Sequence, residues 1–385
     1  MKNSKGWWTI GIINLVVLLV IMGGLLWFTE HFIDKKRRVT VLYQSDPLNR
    51  WRMVPNQELQ IQNARISINS LGFRGPVPAP EKDNSICRVM VMGGSSVFDT
   101  QVDEKGTWPR LLERELRKGG RPTLETFNMG VPGYSSRETL ALYHDRIRYF
   151  HPDLVLLYQG WNDVKYMKLF LTGVETQRYF VVKDWRKPYR FLTEPFPWRN
   201  IHALGVIWDE VVDKVQGLRE NAADPEELMA ASSPKEFLQG ISSPSDLKKA
   251  WAETPGMSYW KKNVEAFILE VRSDGVLPVL IAQATLTAPG LQEEMKRKIA
   301  YHWIYVDHSN LLAINEAMVE VLGDLAQKYK IPFIDVRKKM NGRADYFNDH
   351  VHLKPEGSSV LARELAVEIS SRLENSPLAC LSRPF

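Results

Sequence analysis

With 385 residues, 44% of them hydrophobic and 25% charged, the chain has the make-up of a globular protein, which excludes a disordered or fibrous one. Its length suffices for one large domain or two small ones. The net charge is only +5, part of it in the run Lys35-Lys36-Arg37-Arg38, and with the other basic residues spread along the chain there is no nucleic-acid footprint. Two cysteines, Cys87 and Cys380, are too few for a disulfide framework and leave the redox compartment open.

In chain order, the first feature is a stretch from Trp7 to Phe28 that carries no charge and matches the ~20 residues that cross a bilayer as a helix. Trp7, Trp8 and Trp27 stand at its ends, where indole rings favour the headgroup region. No A-x-A-like cleavage site follows, so the segment is expected to be an uncleaved single-pass signal anchor over residues 1–34. Lys2 and Lys5 precede the span and four basic residues follow it. Counted literally, the positive-inside rule keeps the following domain in the cytoplasm. Short N-terminal tails with two lysines commonly stay inside regardless, and the expectation is an extracytoplasmic domain, periplasmic or at the cell surface, with the basic flank standing against it.

Residues 35–85 read as an extended lead-in of turns, with Asn69-Ser70-Leu71-Gly72-Phe73-Arg74-Gly75 followed by Pro76, Pro78 and Pro80. From residue 86 to the end, apolar runs alternate with amphipathic helices. Cys87 to Met92 is a buried strand in which Cys87 is a small hydrophobe; Trp108 to Lys118 is a helix with Leu111, Leu112 and Leu116 on one face. Leu124 to Asn128 is a second strand, Ser136 to Arg148 a helix, and Asp153 to Gln159 a third strand. Tyr259 to Arg272 is a helix stopped by Gly275, Leu277 to Gln283 a fourth strand, Leu311 to Lys328 a helix, Ile331 to Val336 a fifth strand, and Pro355 to Leu373 a closing helix. Such alternation predicts a parallel sheet covered on both faces. An insertion over about 166–255 interrupts it, rich in aromatic and basic residues (Trp185, Arg186, Tyr189, Arg190, Phe196, Trp198) with one helix near Ile207 to Val215. A connection this long reads as a cap, its aromatic side chains mostly packing and some lining a substrate cleft.

Open parallel sheets carry their chemistry at the C-terminal ends of the strands. There the sequence places Gly93-Gly94-Ser95-Ser96, then Asn128-Met129-Gly130-Val131-Pro132-Gly133, then Gly160-Trp161-Asn162-Asp163, and last Asp349-His350-Val351-His352 before Pro355. A serine hydroxyl needs a base to take its proton, a carboxylate to hold that base, and donors for the oxyanion that develops. Taken singly, Ser95 is an ordinary helix cap and Asn162 an ordinary turn residue. His350 and His352 near Asp345 and Asp349 invite a metal reading, but alternate positions of an extended segment point apart, and no metal or cofactor is called for. No phosphate-loop motif occurs. The pair Asp307-His308 follows no strand end and reads as a surface feature.

Together these blocks resemble the SGNH (GDSL-like) hydrolase family, over about Cys87 to Leu373 with the insertion unmatched. Block one is Gly93-Gly94-Ser95, block two the turn ending at Gly133, block three Gly160-Trp161-Asn162-Asp163, and block five Asp349 with His352. The family's Asp before the nucleophile is Gly94 here; the Gly-Gly-Ser form is similar to that of membrane-attached bacterial members, which share the Asn69 to Gly75 lead-in. The resemblance implies a flavodoxin-like three-layer α/β/α sandwich with a five-stranded parallel sheet. It further implies Ser95 as nucleophile, His352 as base and Asp349 orienting it, with Ser95, Gly133 and Asn162 as the oxyanion hole. The activity implied is a serine esterase cleaving acyl esters, acetyl among them, borne by a lipid or polysaccharide. Two other readings share the fold: an O-acyltransferase acting on an envelope polysaccharide, and a binding or scaffold protein without catalysis.

Overall fold

The computed structural model describes residues 12–24, 43–46, 49–61, 64–83, 85–120, 123–167, 241, 243–304 and 306–373. The chain divides into two compact units, Met1–Ser45 with Val181–Glu227, and Asp46–Phe180 with Leu228–Phe385. In the first, residues 12–24 are helical and all exposed, Leu19 and Val20 among them. Among the described residues no helix is long and apolar enough to cross a membrane. The rest of the span expected from Trp7 to Phe28 lies outside the described residues, as do the expected helix near Ile207 and the aromatic cluster from Trp185 to Trp198.

The second unit opens on a finding the lead-in's turn-rich sequence concealed. Strands β1 (Gln57–Ile61) and β2 (Ala64–Ile68) form an antiparallel hairpin. Its inward residues Leu59, Ala64, Ile66 and Ile68 are buried while Arg65 is exposed, the two-residue period of a half-covered sheet. The chain then turns through Asn69, whose side-chain oxygen accepts the N–H groups of Leu71 (2.9 Å) and Phe73 (3.1 Å). Arg74 returns to bridge both Ile68 and Asn128.

The main sheet comprises β3 (Cys87–Gly93), β4 (Leu124–Asn128), β5 (Leu154–Tyr158), β6 (Leu277–Ala282) and β7 (Phe333–Asp335). All four pairings are parallel, in the order β4-β3-β5-β6-β7. Every residue of β3 and β5 is buried, as a strand covered on both faces requires. Cys87 is buried as well.

Among the helices around this sheet are α1 (Ser95–Phe98), α2 (Trp108–Lys118), α3 (Ser136–Asp145), α4 (Trp161–Met167), α5 (Pro244–Ala252), α6 (Pro255–Ser273), α7 (His308–Tyr329) and α8 (Pro355–Leu373). From β3 the chain steps to β4 on one side and then crosses back to β5 on the other. With right-handed crossovers this reversal sends α2 and α3 to opposite faces. The packing agrees: α2 lies against α8, whereas α3 lies against α6. The reversal also opens a crevice between the ends of β3 and β5, where ligands of such sheets bind.

Helix limits shift from the sequence expectation where caps decide. The third helix stops at Asp145 because Arg146 leaves helical geometry at φ −140°. Its guanidinium donates to the Leu71 carbonyl (2.6 Å) and lies over the Phe73 ring (4.7 Å), tying the helix end to the lead-in. Helix α6 begins at Pro255, ahead of Tyr259, because Thr254 Oγ1 accepts the Met257 N–H (3.2 Å) and proline fits the first turn. Asp307 caps α7 by accepting the Asn310 N–H (2.8 Å), which gives the Asp307-His308 pair a structural role. Within the expected insertion, α5 is described and packs on α7, with Trp251 Nε1–H donating to Asn310 Oδ1 (2.8 Å).

Thr254 also donates to the Trp251 carbonyl (2.8 Å), so its hydroxyl joins α5 to α6. Thr254→Ala is expected to cost about 1–2 kcal/mol in urea unfolding. Thr254→Ser, which keeps the hydroxyl, is expected to cost clearly less; equal losses would show that the methyl group and not the cap matters.

Candidate active site

Strand β3 ends in a turn at Gly94, which precedes Ser95 at the start of α1. A side chain at position 94 would put its Cβ 2.6 Å from Asn162 Nδ2 and 3.1 Å from the Tyr134 carbonyl. The turns after β3, β4 and β5 approach so closely here that position 94 has little room for a side chain.

The Ser95 hydroxyl lies 2.8 Å from His352 Nε2, across 257 positions of sequence. On the far side of the ring, His352 Nδ1 lies 2.7 Å from Asp349 Oδ2. A carboxylate only accepts, so Nδ1 carries the proton, and Nε2 is left as the acceptor for the Ser95 O–H. The other Asp349 oxygen accepts the backbone N–H groups of Val351 and His352, both at 2.9 Å. One carboxylate thus holds both the ring and the backbone of the same histidine. Burial alone would raise the Asp349 carboxyl, but the hydrogen bond and charge of His352 outweigh it and hold it well below the usual carboxylate range. Asp349 therefore stays ionised through the neutral range. The histidine side chain is 18% exposed and the aspartate 30%, so the cluster is reachable from solvent.

Three donors lie on the turns that follow β3, β4 and β5. Asn162 Nδ2 donates one hydrogen to the Tyr134 carbonyl (2.8 Å), leaving its second. Among the described residues nothing accepts from the backbone N–H of Ser95 or of Gly133. Gly133 sits in the turn after β4 at φ +85°, and that turn is pinned to the turn before Ser95 by a hydrogen bond from Val131 N–H to the Gly93 carbonyl (3.1 Å).

Residues to which the sequence assigned no role of their own hold these turns in place. Gln159 Nε2 donates to the Tyr134 carbonyl (2.9 Å) and to Asp163 Oδ2 (3.0 Å). Asp163 Oδ1 accepts the N–H (2.9 Å) and the hydroxyl (2.7 Å) of Ser136 at the start of α3. Gln283 follows β6 directly; its Nε2 donates to Ser96 Oγ (2.6 Å) and its Oε1 accepts the Trp161 N–H (2.7 Å). Its place at a strand's C-terminal end was the available signal. Behind α1, Arg74 is fully buried and donates to the carbonyls of Phe98 (2.8 Å), Asp99 (2.5 Å) and Val102 (2.5 Å), pairing with Glu104 (3.1 Å). No periodicity marked it.

His350 does not turn towards Ser95. Its ring packs on Trp161 with centroids 4.1 Å apart, and among the described residues no group of three or more acidic, histidine or cysteine side chains is arranged to hold a metal ion.

No family model matches the sequence, and no curated protein matches it. Several solved structures are similar. One is the acetyl xylan esterase AlAXEase, at 15% identity and a TM-score of 0.40 over 73% of this chain and 99% of that one. Another is a GDSL-like lipase from Bacteroides thetaiotaomicron, at 13% identity and a TM-score of 0.38 over 77% and 92% of the two chains. A third is the lipase/acylhydrolase from Enterococcus faecalis, at 14% identity and 0.39 over 74% and 97%.

Asp163 and Asp99 are both buried, and burial raises each to about 6, against the hydrogen bonds that Ser136, Gln159, Ser358 and Trp108 give them. Their folded values lie above the unfolded one, so the folded state holds protons that the unfolded state has already lost. That contribution is complete below about pH 4 and is lost as pH rises through about 6. Stability is therefore expected to fall across this window, by up to about 3 kcal/mol for each carboxyl. Asp163→Asn, which cannot ionise, should flatten the decline measured by denaturant unfolding at pH 5 and 7.5; an unchanged slope would refute the assignment.

Proposed function

We propose that the chain is a serine ester hydrolase of the SGNH type, with Ser95 as nucleophile, His352 as general base and Asp349 as its orienting carboxylate. The observation that carries this reading is the relay itself. A hydroxyl, an imidazole and a carboxylate stand in line at 2.8 Å and 2.7 Å, with the imidazole tautomer set by the carboxylate.

On an acyl ester, Ser95 Oγ forms a bond to the carbonyl carbon while its proton passes to His352 Nε2. The carbonyl π electrons move onto oxygen, and the N–H groups of Ser95 and Gly133 with the spare Asn162 hydrogen stabilise that oxyanion. Collapse of the intermediate breaks the ester C–O bond, and His352 returns its proton to the leaving alcohol. Water then attacks the acyl-enzyme by the same sequence and frees the acid and Ser95. The ionised Asp349 keeps the imidazolium stable during each half. The substrate class is a carboxylic ester, with acetyl and other short acyl groups the first to be tried.

Ser95→Ala should abolish covalent labelling by a fluorophosphonate and lower p-nitrophenyl acetate hydrolysis by about 10³-fold or more, while the fold is retained by circular dichroism. Labelling of the variant at the wild-type rate would end this assignment.

The same reading places the catalytic unit outside the cytoplasm, held by a single N-terminal membrane helix. The uncharged span and the exposed apolar side chains of residues 12–24 support the anchor. The short N-terminal tail with Lys2 and Lys5 supports the side of the membrane, against the four basic residues that follow the span. A C-terminal alkaline phosphatase fusion is expected to be active in cells and a C-terminal green fluorescent protein fusion dark; the reverse pattern would put the domain in the cytoplasm.

A further inference from the structure

From the lead-in, Trp51 reaches the turn at Gly133. This side chain is buried, and its ring edge faces Gly133: a Cβ there would lie 3.0 Å from Trp51 Cζ2. Its indole Nε1–H donates to the Pro132 carbonyl (3.1 Å). In return the Trp51 carbonyl accepts the Tyr134 hydroxyl (2.6 Å), and the two rings meet edge to face at 5.4 Å. Trp51 therefore grips the turn at both sides of Gly133 and crowds the glycine between.

The Pro132 carbonyl and the Gly133 N–H are the two ends of one peptide group. In a trans peptide, which this is, they point in opposite directions across a rigid plane. Whatever holds the oxygen aims the N–H. Residue 133 is a glycine at positive φ, the residue least able to prevent that plane from rotating. The Gly133 N–H itself has no acceptor among the described residues and so cannot hold the plane from its own side. The indole N–H is the donor found on the other end.

We infer that Trp51 is a positioning residue for ester hydrolysis: by holding the Pro132 carbonyl it fixes the direction of the Gly133 N–H towards the oxyanion. This rests on the serine hydrolase reading above. The hydrogen bond has a second effect of the same sign, since donation to a carbonyl polarises the peptide and strengthens its N–H as a donor. Both effects act on charge that develops only in the transition state, so they bear on kcat and hardly on KM. The segment immediately before the α/β domain is thereby part of the catalytic apparatus and not a mere tether.

The test is Trp51→Phe in the full-length protein purified in detergent, because phenylalanine keeps an aromatic ring beside Gly133 and removes the N–H. With p-nitrophenyl acetate, kcat is expected to fall about 10- to 100-fold, short of the 10²–10³-fold that loss of an oxyanion donor costs, and KM to stay within about twofold. Amide exchange followed by mass spectrometry should quicken in the peptide covering 130–135 and remain slow in β3 and β5. Unchanged kcat with unchanged exchange at 130–135 would overturn the inference. So would a loss of activity accompanied by faster exchange throughout the sheet, which would make Trp51 a core residue only. If the wild-type protein neither hydrolyses the ester nor reacts with a fluorophosphonate, the hydrolase reading fails separately, and the role assigned to Trp51 in catalysis falls with it. The exchange at 130–135 would still report whether Trp51 holds the turn.

Discussion

Two side-chain amides, those of Gln159 and Asn162, meet at a single backbone oxygen, the Tyr134 carbonyl. That meeting joins the turn after β4 to the turn after β5, and Gly94 brings the turn after β3 against the same point. Three chain segments that leave the sheet at different strands are thus held within a few ångströms of each other. A buried amide or carbonyl left without its partner costs about 1–3 kcal/mol, so the arrangement resists being loosened one bond at a time. The geometry at Ser95 depends on this convergence: the hydroxyl and its own N–H sit on one turn, the donors of Gly133 and Asn162 on the other two.

The supports extend outward in an ordered way. Asp163 anchors the start of α3, Gln283 ties Ser96 to Trp161, and Asp99 receives the Trp108 N–H and the Ser358 hydroxyl from α2 and α8. Each is buried or half-buried, and each joins elements far apart in sequence. Two carboxyls, Asp99 and Asp163, are held at a cost that shows in their raised values. Such residues trade stability near neutral pH for fixed turns, a common bargain beside reactive groups. Asp349 is the opposite case, a carboxylate kept ionised by the histidine it orients.

The lead-in changes character once its contacts are known. Its Asn69 to Gly75 motif was readable as turns because Asn, Gly and the prolines after it punctuate the chain. The hairpin β1–β2 was not, since an edge hairpin of mixed polar residues has too weak an alternation to separate from extended chain. Its purpose lay wholly in long-range partners. Arg74 reaches the carbonyls behind α1, and Trp51 reaches the turn at Gly133. Arg146 is a related case: the pattern of α3 runs on to Arg148, yet the lead-in draws Arg146 out of the helix.

By itself the sequence determined the elements whose signal is local. Apolar runs such as Leu154 to Tyr158 become central strands, and amphipathic segments such as Trp108 to Lys118 become helices, because burial on one or both faces is written into residue order. It also determined which reactive types stand at strand ends, Ser95, Asn162, Asp349 and His352 among them. What only the tertiary structure decided is distance. The 2.8 Å between Ser95 and His352 and the grip of Trp51 on Pro132 are contacts between residues remote in the chain. No local pattern encodes such a contact, because it exists only when the whole sheet has closed around it.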